Sequence, residues 1–140
     1  MAAPRITNLI ATGDINIQHR EEPARVFELV KDVLDGADLR LGNMEMCLTS
    51  PNDLIPAKAG WTQSDARMVD ALVAARIDGV TTANNVTYGA QTILSSLKVL
   101  DSKKIPHTGS GANRTEARKP VIVEHNGNKV GMLGYSCVVY

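Results

Sequence analysis

Hydrophobic runs that each end in a small polar cluster are the feature that most constrains the fold of this chain. The clusters are Gly13-Asp14, Asn43-Met44-Glu45 and Asn84-Asn85, and they follow the runs 7–11, 37–41 and 80–83. If each run is a buried parallel strand, all three clusters lie at strand carboxyl ends, where open α/β sheets bind their ligands. The sequence therefore predicts a site at one edge of a sheet.

The polar clusters contain the ligand types that hard cations prefer. Carboxylates and side-chain amides offer oxygen donors that suit Mg, Mn or Ca, and added imidazole ligands would also suit Zn or Fe. Any single cluster has a simpler interpretation, because Asp and Asn often end strands by bonding the backbone of the turn. Three clusters in register favour a metal-assisted hydrolase site.

Periodicity along the chain predicts alternating strands and helices. The predicted strands are 6–11, 39–42, 79–83 and 105–108, followed by a hairpin of 121–124 and 129–135 around Asn126-Gly127. The predicted helices run from Pro23 to Asp35-Gly36, from an N-cap at Ser64 through Ala75, and from Gly89 to Asp101. A long loop, 47–63, contains Trp61. Helices between strands predict parallel pairing and an α/β fold.

Five motifs in a fixed order resemble a known family. They are Thr12-Gly13-Asp14-Ile15, Ala37-Asp38-Leu39 running into Gly42-Asn43-Met44-Glu45, Thr82-Ala83-Asn84-Asn85, Lys104-Ile105-Pro106-His107-Thr108-Gly109-Ser110-Gly111 and Glu116-Ala117-Arg118-Lys119-Pro120. This succession is similar to that of the CapA-type capsule (poly-gamma-glutamate) synthesis proteins, relatives of the calcineurin-like metallophosphoesterases. The resemblance covers nearly the whole chain. It implies a layered α/β/α scaffold of the metallophosphoesterase type, present in part, in one truncated domain spanning residues 1–140.

The resemblance also implies roles for individual residues. Asp14, Glu45 and Asn85 would hold a weakly bound divalent metal such as Mg or Mn, and Asn43, Asn84 and Ser110 would bind substrate or support the site. The catalytic residues remain unknown. The partners that the resemblance implies are other capsule or polymer synthesis proteins.

The chain departs from the family after the paired asparagines. The family continues with His, two variable residues and Asp-Tyr-Gly, whereas this chain has the shorter Val86-Thr87-Tyr88-Gly89. In the phosphoesterase relatives that His is expected to protonate a leaving group or steady the phosphate, which valine cannot do. The chain also stops at Tyr140, before a further His-containing segment of the family. We therefore expect impaired hydrolysis, and the alternative is a non-catalytic structural or binding remnant of a polymer-assembly system.

Composition argues against several partners. The net charge is zero, the pI is about 6.8 and no dense basic run occurs, so we expect no nucleic-acid binding. The sequence has neither a signal peptide nor an apolar stretch of ~20 residues, which predicts a cytoplasmic chain without direct membrane insertion, although family members are often membrane-anchored or at the cell surface. A nucleotide-binding α/β domain is a weaker alternative, because Gly109-Ser110-Gly111 lacks the third glycine opening a helix and no Walker lysine is present.

The remaining reactive side chains favour structural interpretations. Cys47 and Cys137 are too few and too far apart for a disulfide framework, so we expect two reduced thiols. His107 is expected to be a hydrogen-bonded structural imidazole, whereas His19 and His125 are expected to face solvent.

Overall fold

A computed structural model describes residues 6–49 and 63–137 of the chain. The strands are β1 (Leu9–Ile15), β2 (Leu39–Met44), β3 (Cys47–Thr49), β4 (Gln63–Asp65), β5 (Gly79–Thr81), β6 (His107–Thr108), β7 (Val121–His125) and β8 (Asn128–Met132). The α-helices are α1 (Lys31–Asp35), α2 (Val69–Ala74), α3 (Ala90–Ser102) and α4 (Arg114–Ala117), and 3₁₀ turns span Pro23–Arg25, Glu28–Val30 and Ala66–Met68. The predicted mixed α/β fold is confirmed.

The central sheet contains four parallel strands in the order β1-β2-β5-β6. A second, two-stranded parallel sheet pairs β3 with β4. The C-terminal strands β7 and β8 pair antiparallel around Asn126 and Gly127, whose φ angles of 52° and 80° match the left-handed conformation that a tight hairpin turn requires. The parallel sheet and the hairpin were both predicted from the sequence and are both present.

Different layers cover the two faces of the central sheet. Side chains alternate along β2, so Leu39 and Leu41 share a face, and both pack against Val121 and Val123 of the hairpin. Arg40 lies between them and bonds the segment that ends α1 on the other face. The main core on that face joins the sheet to the helices and includes Ile15, Met44, Val80, Leu72, Leu97 and Leu100.

Arg40 is a buried charge that ties three elements together. Its side chain is only 1% exposed, and its Nε and Nη2 donate to Leu34 O and Ala37 O, both at 2.6 Å. Nη1 lies 3.6 Å from Asp78 Oδ2, which also accepts the backbone N–H of Arg40 at 2.8 Å. The guanidinium therefore satisfies carbonyls at the carboxyl end of α1 while it anchors β2 beside the start of β5.

The first helix was predicted to be continuous from Pro23 to Asp35-Gly36, and this prediction is wrong. Backbone bonds from Val26 to Pro23 and from Val30 to Phe27 close 3₁₀ turns, and the α-helix begins only at Lys31. Of the apolar residues at helical spacing, Leu34 is buried but Val30 and Val33 are 47% and 67% exposed. The spacing of the apolar residues predicted a single buried face along a continuous helix, but these side chains do not share one face of a regular helix.

Other boundaries also differ from the predictions. Ser64 does not cap a helix because its backbone pairs with Leu48 in a strand, and Asp65 caps the next turn by accepting the N–H of Arg67 at 2.8 Å. The predicted 47–63 loop begins and ends in strands, while Trp61 lies outside the described residues. The short helix α4, capped by Asn113, was missed. The last strand ends at Met132 rather than at residue 135.

Within the described ranges, no helix is both long enough and apolar enough to cross a membrane.

Candidate functional site

A β-bulge sets the position of Asp14. Ala11 pairs with Leu41 and Asp14 pairs with Asn43, so β1 has one more residue than β2 between these two pairs. An extra residue shifts the alternation of side chains along a strand, which here brings Asp14 opposite Asn43. Asp14 and Asn43 lie inside their strands and not beyond them, because the pairing continues past both hydrophobic runs.

Gly42 provides the space that the bulge needs. A Cβ at this residue would overlap Ile15 Cδ1 and would lie 2.8 Å from Thr12 Oγ1, closer than side chains normally approach. The Thr12 hydroxyl also donates to Leu41 O at 3.4 Å, so the bulged segment lies directly against β2. Gly13, in the bulge itself, has no heavy atom within 4 Å of such a Cβ. A side chain at residue 42 therefore requires Ile15 and Thr12 to shift, whereas one at residue 13 meets open space.

Two asparagines hold the Asp14 carboxylate through one of its oxygens. Asn43 Nδ2 donates to Asp14 Oδ1 at 2.6 Å, and Asn84 Nδ2 donates to the same oxygen at 3.4 Å. Asn84 Oδ1 accepts the backbone N–H of Val86 at 3.0 Å, which fixes the orientation of that amide. Asp14 is exposed, and its Oδ2 accepts no hydrogen bond from any residue in 6–49 or 63–137. The bonds to Oδ1 thus orient the carboxylate and leave Oδ2 available to a ligand.

Glu45 lies one residue beyond the end of β2 and has its own amide partner. Its backbone N–H donates to Ile15 O at 3.0 Å, and its Oε2 accepts from Asn16 Nδ2 at 3.4 Å. Asn16 Oδ1 in turn accepts the N–H of Gln18 at 3.1 Å. Asn16 was not predicted as a site residue, although its position two residues after Asp14 places both side chains on the same side of an extended chain.

Asn85 and Ser110, like Glu45, are predicted site residues whose side chains do not bond Asp14 in the described ranges. Asn85 is half-buried next to Asn84, and in the described ranges no hydrogen bond joins its side chain to Asp14. Ser110 Oγ donates instead to Thr82 O at 3.2 Å. The same carbonyl accepts the Asn84 N–H at 3.2 Å and the Thr87 hydroxyl at 3.3 Å. Ser110 therefore contacts the asparagine loop, residues 82–89, through its backbone.

The donor atoms at this edge are of the type that hard cations prefer. Asn43 Oδ1 is buried and lacks a hydrogen-bond partner in the described part of the chain, so a cation or water would satisfy it. The free oxygen of Asp14 and the carboxylate of Glu45 add charged oxygen donors. Among the described residues, no three His, Cys, Asp or Glu side chains form a group that could hold a metal. An oxygen-rich, water-completed shell suits Mg or Mn better than Zn. The predicted ligand set of Asp14, Glu45 and Asn85 stays a prediction.

Two buried side chains beside the site provide no acid or nucleophile. Val86 is only 4% exposed and carries no titratable group. Burial raises the pKa of the Cys47 thiol to about 11, although the Tyr88 backbone N–H opposes this by bonding the sulfur. Cys47 is therefore protonated near neutral pH. Both Cys47 and Cys137 are free thiols, as the sequence predicted.

The three histidines have different surroundings. His107 Nε2 lies 3.1 Å from Asp101 Oδ1, which confirms a hydrogen-bonded imidazole. His19 is exposed, as predicted. His125 is 35% exposed, and it also has a partner that was not predicted, because its Nε2 lies 3.3 Å from Asp38 Oδ1. The hairpin places the end of β7 beside the start of β2, a contact that local sequence does not indicate.

Two clefts open beside the central sheet. A groove of about 220 Å³ adjoins Asp14 and is lined also by Asn16, Arg20, Phe27 and Val30. A larger cleft of about 630 Å³ lies at the β6 end of the sheet and includes Ser110. The larger cleft is therefore not the one that contains the Asp14 carboxylate.

Comparison with known proteins identifies the family. No curated protein matches the chain. The family model described as bacterial capsule synthesis protein PGA_cap matches residues 8–139. The match includes both strands of the bulge and the whole asparagine loop, and it confirms the resemblance carried by the five motifs. The chain therefore belongs to the PGA_cap family of bacterial capsule synthesis proteins.

Proposed function

We propose that this chain acts in the synthesis of a poly-gamma-glutamate-type capsule polymer, as a weak divalent-cation-binding member of its family with impaired hydrolytic activity. Family membership supports the association with capsule synthesis. The observation that carries the rest is the exposed Asp14 residue, whose carboxylate is oriented by two asparagine amides through Oδ1 while Oδ2 accepts no hydrogen bond from the described residues. A carboxylate held in this way at the carboxyl edge of a parallel sheet is suited to bind a cation.

The residues at the edge have distinct roles in this proposal. Asp14 and Glu45 would bind the cation through carboxylate oxygens, with Asn85 as the predicted amide ligand. Asn43 and Asn84 orient Asp14 by hydrogen bonding. When bound, a divalent cation would polarise a phosphoryl or carbonyl oxygen and make a bound water more acidic. Few protein ligands leave much of the shell to water, so we expect weak binding by Mg or Mn.

The proposed loss of hydrolytic activity is inferred from the asparagine loop. Val86 occupies the place where the family motif has an imidazole, and its side chain is buried. A positioned general acid typically contributes a factor of about 10² to 10⁴ to a rate. The N–H of Val86 bonds Asn84 Oδ1, which closes the loop in a tight turn without presenting an acid to the edge.

A second function, a non-catalytic binding or structural subunit, is favoured by the amide bonds to the carboxylates. Asp14 is bonded by Asn43 and Asn84, and Glu45 is bonded by Asn16, so the edge is held together without a cation. In that case the chain would act by contacting other capsule or polymer synthesis proteins. The two functions differ in whether cation binding depends on Asp14.

Calorimetric titration with MnCl₂ and MgCl₂ tests the cation site. We expect a Kd of roughly 0.1–1 mM for the wild-type chain, in the range of weak oxygen-donor sites. Asp14→Ala should weaken binding at least tenfold, whereas Glu21→Ala, which removes an exposed carboxylate elsewhere, should not change it. Equal binding by the wild type and Asp14→Ala would favour the non-catalytic subunit. Tight, stoichiometric zinc binding would contradict the oxygen-donor site.

A turnover assay tests the impairment separately. Wild-type chain and Asp14→Ala are compared on p-nitrophenyl phosphate and bis(p-nitrophenyl) phosphate with added Mn. We expect little or no turnover from either protein, because no imidazole or other acid replaces the family His at residue 86. Robust turnover that disappears in Asp14→Ala would show that the hydrolase is intact and that the proposed impairment is wrong.

A further inference from the structure

Alternating burial continues past the carboxyl ends of β1 and β2. Every second side chain is buried in the main core, and these are Ile15, Ile17, Met44 and Met46. The residues that alternate with them carry carboxylates or amides and form a polar array of Asp14, Asn16, Asn43 and Glu45. Because successive side chains of an extended chain point to opposite sides, the four polar side chains share the side that faces away from the core.

Each carboxylate of the polar array lies opposite an amide on the neighbouring strand. Asp14 is in register with Asn43, which donates to its Oδ1 at 2.6 Å. Two residues further along, Asn16 Nδ2 donates to Glu45 Oε2 at 3.4 Å. The two carboxylates therefore occupy one diagonal of the array. A strand spacing of about 4.8 Å and an advance of about 6.6 Å per two residues put their Cα atoms about 8 Å apart, within reach of one shared ion.

The Asn16 amide is held in the same way as the amide of Asn84. Asn84 accepts the backbone N–H two residues further on through Oδ1 at 3.0 Å and donates to Asp14 through Nδ2. Asn16 likewise accepts the backbone N–H two residues further on at 3.1 Å and donates to Glu45 through Nδ2. In both cases the side chain closes a local turn with its oxygen, which aims its NH₂ group at a carboxylate.

We propose that Asn16 is a positioning residue of the cation site, where it holds the Glu45 carboxylate toward the ion that Asp14 binds. This role rests on the proposed function, because it concerns the orientation of the second carboxylate in that site. Within the described ranges Glu45 Oε1 accepts no hydrogen bond, so this oxygen is left for the ion. A ligand whose rotation is already restricted loses less freedom on binding, and loss of such an outer partner typically weakens metal affinity about 10- to 100-fold.

Two substitutions of Asn16 should change cation affinity in opposite directions. In calorimetric titrations with MnCl₂ at low ionic strength, Asn16→Ala should weaken binding about fivefold, less than is typical because the bond is exposed and long. Asn16→Asp keeps an oxygen that can accept the Gln18 N–H but replaces the amide donor by a carboxylate. It should tighten binding about tenfold, because a unit charge about 6 Å from a divalent ion contributes about that factor even in water. A residue that only closes the turn would give no such gain.

A double-mutant cycle tests whether Asn16 acts through Glu45. Glu45→Ala alone should weaken manganese binding about tenfold, because it removes a charged oxygen ligand. In the Glu45→Ala background, Asn16→Ala should change the Kd by less than about 1.5-fold, because the carboxylate that it positions is absent. Independent, additive effects of the two substitutions would show that Asn16 does not act through this carboxylate.

Asn113 provides the matched control. Its Oδ1 accepts the Glu116 N–H at 3.0 Å and its Nδ2 donates to the Glu116 carboxylate at 3.0 Å, so it forms the same two kinds of bond at α4. It is not part of the polar array. Asn113→Asp changes the net charge by the same amount as Asn16→Asp, and both Asn113→Asp and Asn113→Ala should change the manganese Kd by less than about twofold.

NMR of the cation-free chain tests the contact itself. In ¹⁵N-labelled protein with EDTA, Glu45→Ala should shift the side-chain amide resonances of Asn16 and leave those of Asn113 in place. Glu116→Ala should do the reverse. The spectra report the hydrogen bond without any ion, and they also show whether each variant is folded.

Two results would overturn the proposal. One is an Asn16 side-chain amide that does not respond to Glu45→Ala, and the other is a weaker or unchanged manganese Kd in Asn16→Asp when the wild type binds manganese. If the wild type binds no manganese, the proposed function fails. The positioning role then requires that Asn16→Asp create measurable binding, and its absence would overturn that role as well.

Discussion

Replacement of the buried Arg40 by methionine should strongly destabilise the fold. Arg40→Met keeps a long side chain of similar reach but removes the donors to Leu34 O and Ala37 O. A buried ion pair can sometimes be replaced by apolar residues without loss, provided that all charged partners are removed. Here two of the partners are backbone carbonyls, which no substitution removes, and Asp78 would also lose its guanidinium.

The size of the effect follows from the bonds that are lost. Hydrogen bonds from a charged donor contribute about 1.5–3 kcal/mol each, and breaking a buried pair costs about 3–5 kcal/mol. We therefore expect the free energy of unfolding to fall by about 3–5 kcal/mol, out of the roughly 5–15 kcal/mol typical of a domain. With a urea m-value of about 2 kcal/mol/M, the unfolding midpoint should fall by about 1.5–2.5 M.

Urea unfolding followed by circular dichroism measures this shift. The matched control is Arg25→Met, because Arg25 is also ion-paired, with Glu22 and Glu28, but its side chain is 68% exposed. The control should leave the midpoint nearly unchanged. Arg40→Lys should lie between the wild type and Arg40→Met, because an ammonium keeps the charge but lacks the planar fork. Equal midpoints for Arg40→Met and Arg25→Met would refute the reasoning.

Three further predictions concern the surroundings of the site. Gly42→Ala should lower the free energy of unfolding by about 1–3 kcal/mol, because its Cβ would overlap Ile15 and Thr12, whereas Gly13→Ala should change it by less than about 1 kcal/mol; equal thermal shifts would contradict the close approach. Burial raises the pKa of the Cys47 thiol from its ordinary value of 9.0 to about 11 in the folded chain. The contribution of the buried thiol to the free energy of unfolding is therefore complete below pH 9.0, and about 2–3 kcal/mol of it is lost as the pH rises through about 11. Cys47→Ala should abolish this loss in urea titrations at pH 8.5 and 11, and an identical loss in the variant would rule out the thiol as its cause. Val86→His should not restore phosphatase turnover with Mn, because the loop stays shorter than the family motif; robust turnover would show that the single residue accounts for the impairment.

The central elements could be predicted because their periodicity is local. Val80, Leu97 and Leu100 are buried where the strand and helix patterns place them, and the Asn-Gly pair at 126–127 marks the hairpin turn. The proximity of Asp14, Asn43 and Asn84 also followed from one rule, that parallel strands in one sheet end at the same edge.

The details of the site depend on contacts between residues far apart in the sequence. The bulge at Asp14 arises from pairing with a strand 29 residues away, and no local pattern indicates it. The pair His125–Asp38 depends in the same way on how the hairpin packs. Asn85 and Ser110 were placed near the edge by their positions after predicted strands, and the family resemblance implied their roles. Their roles stay predictions, since neither bonds Asp14 in the described ranges.

The carbonyl oxygen of Thr82 connects the asparagine loop, residues 82–89, to residues 109–111, which follow β6. It receives bonds from Asn84, Thr87 and Ser110, and at Gly109 (φ 98°) an added Cβ would lie only 2.7 Å from Ala83 Cβ. Neither loop can shift without straining the other, and Asn84 transmits any such shift to the Asp14 carboxylate. A substitution at residues 109–111 should therefore alter the position of the Asp14 carboxylate without contacting it. Random mutagenesis that selects for loss of cation binding should recover changes at these residues.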